Sequence, residues 1–223
     1  MATPSHSRAR TPDQKQQRER ALVDAAWALL SNSAYENITV AQVAEQAGLG
    51  KGTVFLYFKT KEELFLSVLQ QQLENWFGEI DETLQHAPDA CTSEQVAGWF
   101  IASLQRRPAL LQLLTLAHGV IEPNAGQPAL QAFRQALLLR MRHCGALLER
   151  KLPSIPSGEG VGLLMRIYAL VIGVQHVTPS PKSRDAIAAN PDLRVFDFQF
   201  DRELSRMLSL LLSGIENRAP AMA

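Results

Sequence analysis

Residues 39–63 read TVAQVAEQAGLGKGTVFLYFKTKEE, and the fold turns on this stretch. Thr39-x-x-Gln42 has the form of a capping box: the hydroxyl accepts from the amide three residues on, and the glutamine reaches back. Val40, Val43, Ala44 and Ala47 then fall at i, i+3, i+4 and i+7, a single apolar helical stripe. Gly48 stands where the stripe stops, as suits a residue that must enter the left-handed region. Leu49 can plug the corner, Gly50 can cap a second helix over 51–57, and Thr60-x-x-Glu63 has the form of another capping box that opens a third.

Two short helices around a tight glycine turn, with a third helix starting at once, form a helix-turn-helix. The stretch resembles the N-terminal domain of the TetR (tetracycline-repressor) family of transcriptional regulators. The likeness is carried by Thr39-Val40, Val43-Ala44, Ala47-Gly48-Leu49, Lys51-Gly52-Thr53-Val54, Tyr57-Phe58 and Lys61-Glu62-Glu63-Leu64-Phe65, and covers roughly residues 15–70. It departs at Phe55, where the family often has tyrosine.

Charge is distributed in a way that fits a reader at one end. The chain of 223 residues has a formal net charge of zero. Residues 1–61 nevertheless carry eight lysines and arginines against five acids, so the remainder is mildly acidic. A hydrophobic content of 46% suffices for a packed core. Cys91 and Cys144 lie far apart without metal-ligand spacing, and reduced thiols are expected. The polar, basic first dozen residues have no apolar run behind them, and clusters such as 208–212 are too short for a bilayer. A cytoplasmic protein with no membrane partner is expected.

Outside the reader, periodicity predicts an all-α chain of about nine helices. Residues 1–10 are expected to be a disordered basic tail, and 11–60 the helix-turn-helix domain, entered at Thr11-Pro12. Residues 61–217 follow as a helical domain, with 61–85 a connector helix. Further helices are expected near 92–106, 109–120, 128–152, 159–177 and 199–217, with 178–196 an irregular connection.

The resemblance implies that residues 51–57 lie in a DNA major groove, with Thr39, Lys51, Gly52, Thr53, Tyr57 and Lys61 as the contacts. Lys61 matches the family's phosphate-pairing lysine. It also implies an effector pocket in the helical domain, for which Trp76, Trp99, Phe100, His118, Phe133, Tyr168 and His176 are candidates; taken singly, each reads as core or surface before it reads as pocket. The last two helices are the expected homodimer bundle, through Leu163, Ile167, Leu170, Leu204, Leu208, Leu211 and Ile215, with Gly160, Gly162 and Gly173 allowing close approach. His118 and Glu122 at i, i+4 are a weak metal signal, and neither metal nor cofactor is expected.

No nucleophile elbow, dinucleotide fingerprint or phosphate loop is present; in 48–53 Gly52 separates Lys51 from Thr53. The expectation is a non-enzymatic regulator that binds a palindromic operator in double-stranded DNA and is released by a small hydrophobic effector. An effector-dependent activator, a helical adaptor and a small-molecule enzyme are the alternatives.

Overall fold

The computed structural model describes residues 11–216, so the tail at 1–10 lies outside the described residues. Eleven α-helices and no strand occur among them. They are α1 (Pro12–Leu30), α2 (Val40–Gln46), α3 (Lys51–Val54), α4 (Lys61–His86), α5 (Ser93–Gln105), α6 (Pro108–Leu116), α7 (Glu122–Asn124), α8 (Gln127–Lys151), α9 (Gly160–Val177), α10 (Pro181–Ala188) and α11 (Phe200–Glu216). All nine expected helices are present; α7 and α10 are additions.

The chain divides into two compact units, one of residues up to 72 with 116–135, the other of 73–115 with 136 onward. The expected boundary at 60/61 falls inside the first of these. Within it, hydrogen bonds tie the start of α4 to residues 124–126. Glu63 Oε1 accepts the Gly126 N–H at 3.2 Å, and Thr60 Oγ1 donates to the Asn124 carbonyl at 3.3 Å. These bonds draw the end of α7 and the start of α8 into the first unit.

In that unit α1 begins as its sequence dictates, with Thr11 Oγ1 accepting the Gln14 N–H at 3.3 Å and Pro12 at the first position. Its Leu22, Ala26 and Leu30 are buried, with Tyr35 and Ile38 just beyond them. Tyr35 stands edge-on to Phe65 of α4 at 4.8 Å. Before α7 the chain opens into a wide π turn at Ala117–Ile121, where Pro123 has no N–H to give the preceding turn.

In the second unit α5 starts from a complete capping box: Thr92 Oγ1 accepts the Gln95 N–H at 3.3 Å and Gln95 Oε1 accepts the Thr92 N–H at 2.9 Å. Helix α11 packs on α5 and α9, burying Leu204, Leu208 and Leu212, each side chain contributing about 2 kcal/mol. Several polar side chains inside this unit are paired, although Asp81 Oδ1 and Ser93 Oγ are buried without a hydrogen-bond partner. Trp76 Nε1 donates to Ser103 Oγ at 2.9 Å, Arg140 meets the buried Asp81 at 2.7 Å, and Glu79 bridges Arg106 and Arg107.

Helices α8 and α9 approach backbone to backbone. A Cβ added to Gly145 would lie 2.9 Å from the carbonyl carbon of Gly160, and one added to Gly160 would lie 2.6 Å from Gly145 Cα. Gly160 therefore serves a crossing within the protomer, whereas a Cβ on Gly173 would meet nothing within 4 Å. Helix α9 is also an exception to the expectation that the apolar runs are short: by length and composition it could cross a membrane, though its Leu163, Ile167, Val171 and Val174 are buried inside the second unit.

Candidate nucleic-acid interface

The reader is built from local hydrogen bonds. Thr39 Oγ1 accepts the Gln42 N–H at 3.3 Å and Gln42 Oε1 accepts the Thr39 N–H at 2.8 Å, so both arms of the first capping box are closed. At the other end of α2 the Gly48 N–H reaches the Glu45 carbonyl at 3.0 Å and the Leu49 N–H reaches Ala44 at 2.8 Å. This is a Schellman closure, and Gly48 supplies the left-handed residue it needs at φ +65°. Val43, Ala44, Val54 and Phe58 are buried and lock α2 to α3.

The second helix differs from the expected 51–57. Only Lys51–Val54 is α-helical; beyond it Leu56 N–H bonds the Thr53 carbonyl at 3.1 Å and Tyr57 N–H bonds Val54 at 3.0 Å. Gly50 and Gly52 weaken a longer helix, and the tighter turn carries Phe58 into the core. The result is a blunt tip with Lys51, Gly52, Phe55, Leu56 and Lys59 exposed. Leu56 is 75% exposed and Phe55 48%, so two large apolar side chains adjacent in sequence face outward at the tip. Thr39 is exposed, while Thr53 and Tyr57 are half-buried.

The start of α4 is a half-built box. Thr60 Oγ1 accepts the Glu63 N–H at 3.0 Å, but the Glu63 carboxylate turns elsewhere, to the Lys59 N–H at 2.7 Å and to Gly126. Lys61, expected at phosphate, is half-buried. Its Nζ donates to the Tyr35 carbonyl at 2.6 Å and lies 3.8 Å from the centre of the Tyr35 ring. Burial lowers the pKa of the Lys61 ammonium, against Glu62 and Glu36, which work to raise it. Burial also pushes the Tyr35 phenol up, aided by its 2.9 Å bond to Glu62 Oε1. Neither Tyr35 nor the Asn124–Gly126 contact was legible in sequence, since both join residues far apart in the chain.

The effector-pocket candidates fall in both units. Trp76 and Phe100 are buried and meet edge-on at 5.8 Å in the second unit. Trp99 and Tyr168 are half-buried there, and His176 is exposed. In the first unit Phe133 is buried, and His118 is exposed with Nδ1 3.1 Å from Glu122 Oε1. Glu122 in turn meets Arg134 at 2.6 Å, so the carboxylate of the i, i+4 pair already has an arginine partner, and no cluster of three metal-ligating side chains occurs among the described residues.

The dimer candidates divide. Leu163, Ile167, Leu204 and Leu208 are buried inside the protomer, which removes them from any surface; α9 and α11 turn those residues toward each other and α5. Leu170, Leu211 and Ile215 remain half-buried, and the large apolar side chains that α9 and α11 leave exposed are Met165, Val177 and Leu210.

Comparison with known proteins covers most of the chain. Residues 22–68 match the family described as bacterial regulatory proteins, tetR family, and residues 70–219 match the tetracyclin repressor-like C-terminal domain. The fatty acid metabolism regulator protein of Bacillus subtilis (strain 168) is 29% identical over 77 residues, which is 34% of this chain and 40% of that protein. The HTH-type transcriptional repressor KstR of Rhodococcus jostii (strain RHA1) is 30% identical over 115 residues, 50% of this chain and 52% of that one. The chain thus spans about half the length, or less, of these curated relatives. Among solved structures, the transcriptional regulator FadR from Bacillus subtilis in complex with stearoyl-CoA superposes with a TM-score of 0.54 at 18% identity, covering 87% of this chain and 98% of that one. At that identity the likeness shows a shared fold.

Proposed function

The chain belongs to the TetR family of bacterial regulatory proteins, and from that premise we propose that it is a homodimeric, cytoplasmic transcriptional repressor that leaves a palindromic operator when a small hydrophobic effector binds. The observation that carries the reading is the closed reader at 39–58, whose tip exposes a lysine, an open glycine and two apolar side chains. Lys51 and Thr53 are the base or phosphate contacts, Thr39 and Tyr57 position the backbone, and Gly52 lets the tip approach closely. Phe55 and Leu56 offer apolar contact to thymine methyls or sugars. Lys61 serves by holding Tyr35 and the first turn of α4, because reaching a phosphate would break its bond to the Tyr35 carbonyl.

Two readers held about 34–36 Å apart match successive major grooves. The exposed apolar faces of α9 and α11 supply the two-fold contact in this proposal. Helix α4 begins beside the reader and continues unbroken to His86, so an effector in the second unit has a stiff element to act through. A coupling of about 1–3 kcal/mol would change operator affinity roughly 5- to 150-fold. Long-chain acyl-CoA is the first effector class to test because the FadR structure holds stearoyl-CoA.

Selection of bound duplexes from a random library by the purified protein tests the reading. Enrichment of a palindrome supports it and supplies a probe for acyl-CoA titration. A folded dimer that enriches nothing, with or without acyl-CoA, would return the chain to the adaptor class; metabolite turnover would return it to the enzymes.

A further inference from the structure

Between α9 and α11 the second unit carries two small helical pieces, α10 and a 3-10 turn at Pro191–Phe196, and neither holds a buried residue. Their ends are well made. Ser180 Oγ accepts the Ser183 N–H at 3.2 Å with Pro181 at the first position, and Asn190 Oδ1 accepts the Asp192 N–H at 3.0 Å. Caps alone do not sustain such pieces, since isolated helices shorter than about 12–15 residues are marginal in water. The segment meanwhile leaves Val195 76% and Phe196 61% exposed.

Beside it α9 shows a floor of small residues. Ala169 and Gly173 are exposed, and a Cβ on Gly173 would meet nothing within 4 Å. This floor, with Val177, Ile187, Phe196 and Met207, lines an open cleft of ≈ 470 Å³ whose other walls are apolar too. The apolar surface runs on to Met165, 49% exposed, and Leu210, 69% exposed.

We infer that residues 178–198 form a dimerisation arm, whose Val195–Phe196 tip and the cleft it shares with α9 pack against a second copy of this chain. The inference rests on the dimer proposed above and adds a part to it. Three features on this surface select a second copy as the occupant. Large exposed side chains stand next to a small-residue floor, so one surface carries both knob and hole, as a two-fold contact requires. The arm has three basic residues (Lys182, Arg184, Arg194) and three acidic ones (Asp185, Asp192, Asp197). That balance gives no net field to draw nucleic acid or an anionic membrane, yet lets the patch face itself without like-charge repulsion. The cleft also continues the exposed α9 and α11 faces, extending them toward the area of about 2,000 Å² or more typical of obligate dimers.

Sedimentation of the full chain over a range of concentrations tests this, with the fold checked by far-ultraviolet circular dichroism. The wild type should be dimeric. Val195→Asp with Phe196→Asp should raise the dimer dissociation constant about 30-fold or more; Leu210→Asp should do the same. Leu139→Asp, on α8 and 69% exposed, should leave it unchanged. If the arm variant dimerises like wild type while Leu210→Asp dissociates, the dimer face stands and the arm is refuted. If both variants dimerise like wild type, or wild type is monomeric, the dimer face falls with the arm. Should the arm variant misfold, amide exchange of wild type decides: protection of 181–196 that rises with dimer population supports the arm. Protection independent of concentration would mean another occupant, such as a small apolar molecule in the cleft, and would overturn it.

Discussion

Gly48 in the reader and the Gly145–Gly160 pair in the second unit show glycine used for opposite reasons. Gly48 has room for a side chain, with nothing within 4 Å of a Cβ, but its φ of +65° is one that other residues resist. Gly145 and Gly160 have negative φ and lack space, because each backbone sits where the other's Cβ would go. The first constraint is local to one turn and is written in its neighbours. The second is non-local, joining residues on different helices. The two regions should therefore fail differently when a methyl group is added.

The largest effect is expected at the crossing. Gly160→Ala presses a Cβ onto the Gly145 backbone, which cannot swing aside like a flexible side chain, so α8 and α9 must separate. The expected loss is about 3 kcal/mol, read from chemical denaturation. A wild-type melting curve would show that the helices slide apart freely, and the contrast with Gly48 would collapse. Gly48→Ala should cost about 1–2 kcal/mol, the penalty of a left-handed non-glycine residue, and Gly48→Asn should cost less. Equal costs for alanine and asparagine would place the constraint in space instead of in φ.

The same contrast separates two lysines of the reader. Lys51 is exposed at the tip, whereas Lys61 is held by the Tyr35 carbonyl. Lys61→Gln should lower stability by about 1 kcal/mol and leave the salt dependence of operator binding unchanged. Lys51→Gln should leave stability alone and flatten the slope of log affinity against log salt by about 0.9 per protomer. A flattened slope for Lys61→Gln would restore it as a phosphate contact.

What the sequence made legible follows this division between local and distant causes. The capping box at Thr39, the Gly48 closure, the Thr11-Pro12 start and the helix start near 92 are short-range signals, and each appears where its residues put it. Ser180-Pro181 is the same start signal as Thr11-Pro12, yet prolines at 179, 181 and 191 made the region read as irregular, and α10 was missed. Helix α9 is apolar over most of its circumference, so periodicity could not say that Leu163 and Ile167 face inward while Met165 faces out. Lys61 and Glu63 matched a pattern by position, but Tyr35 and Gly126, distant in sequence, decide where those side chains go.

The smallest effects come from one motif used in both regions. Thr39 and Thr92 close the same capping box, with each hydroxyl accepting at 3.3 Å, and both are exposed. Replacing either by alanine should cost about 1 kcal/mol of stability, since the helix loses the same bond. Only Thr39 adjoins the tip that the proposal sets against DNA. Thr39→Ala should therefore weaken operator binding measured by fluorescence anisotropy, while Thr92→Ala, equally destabilised, should bind as wild type. Thr39→Ser, which keeps the cap, should recover both stability and affinity. Equal losses of affinity in the two alanine variants would mean that binding tracks general stability, and the reader would then have no private claim on Thr39. A loss confined to Thr39→Ala separates a hydroxyl that only ends a helix from one that ends a helix and also meets a phosphate.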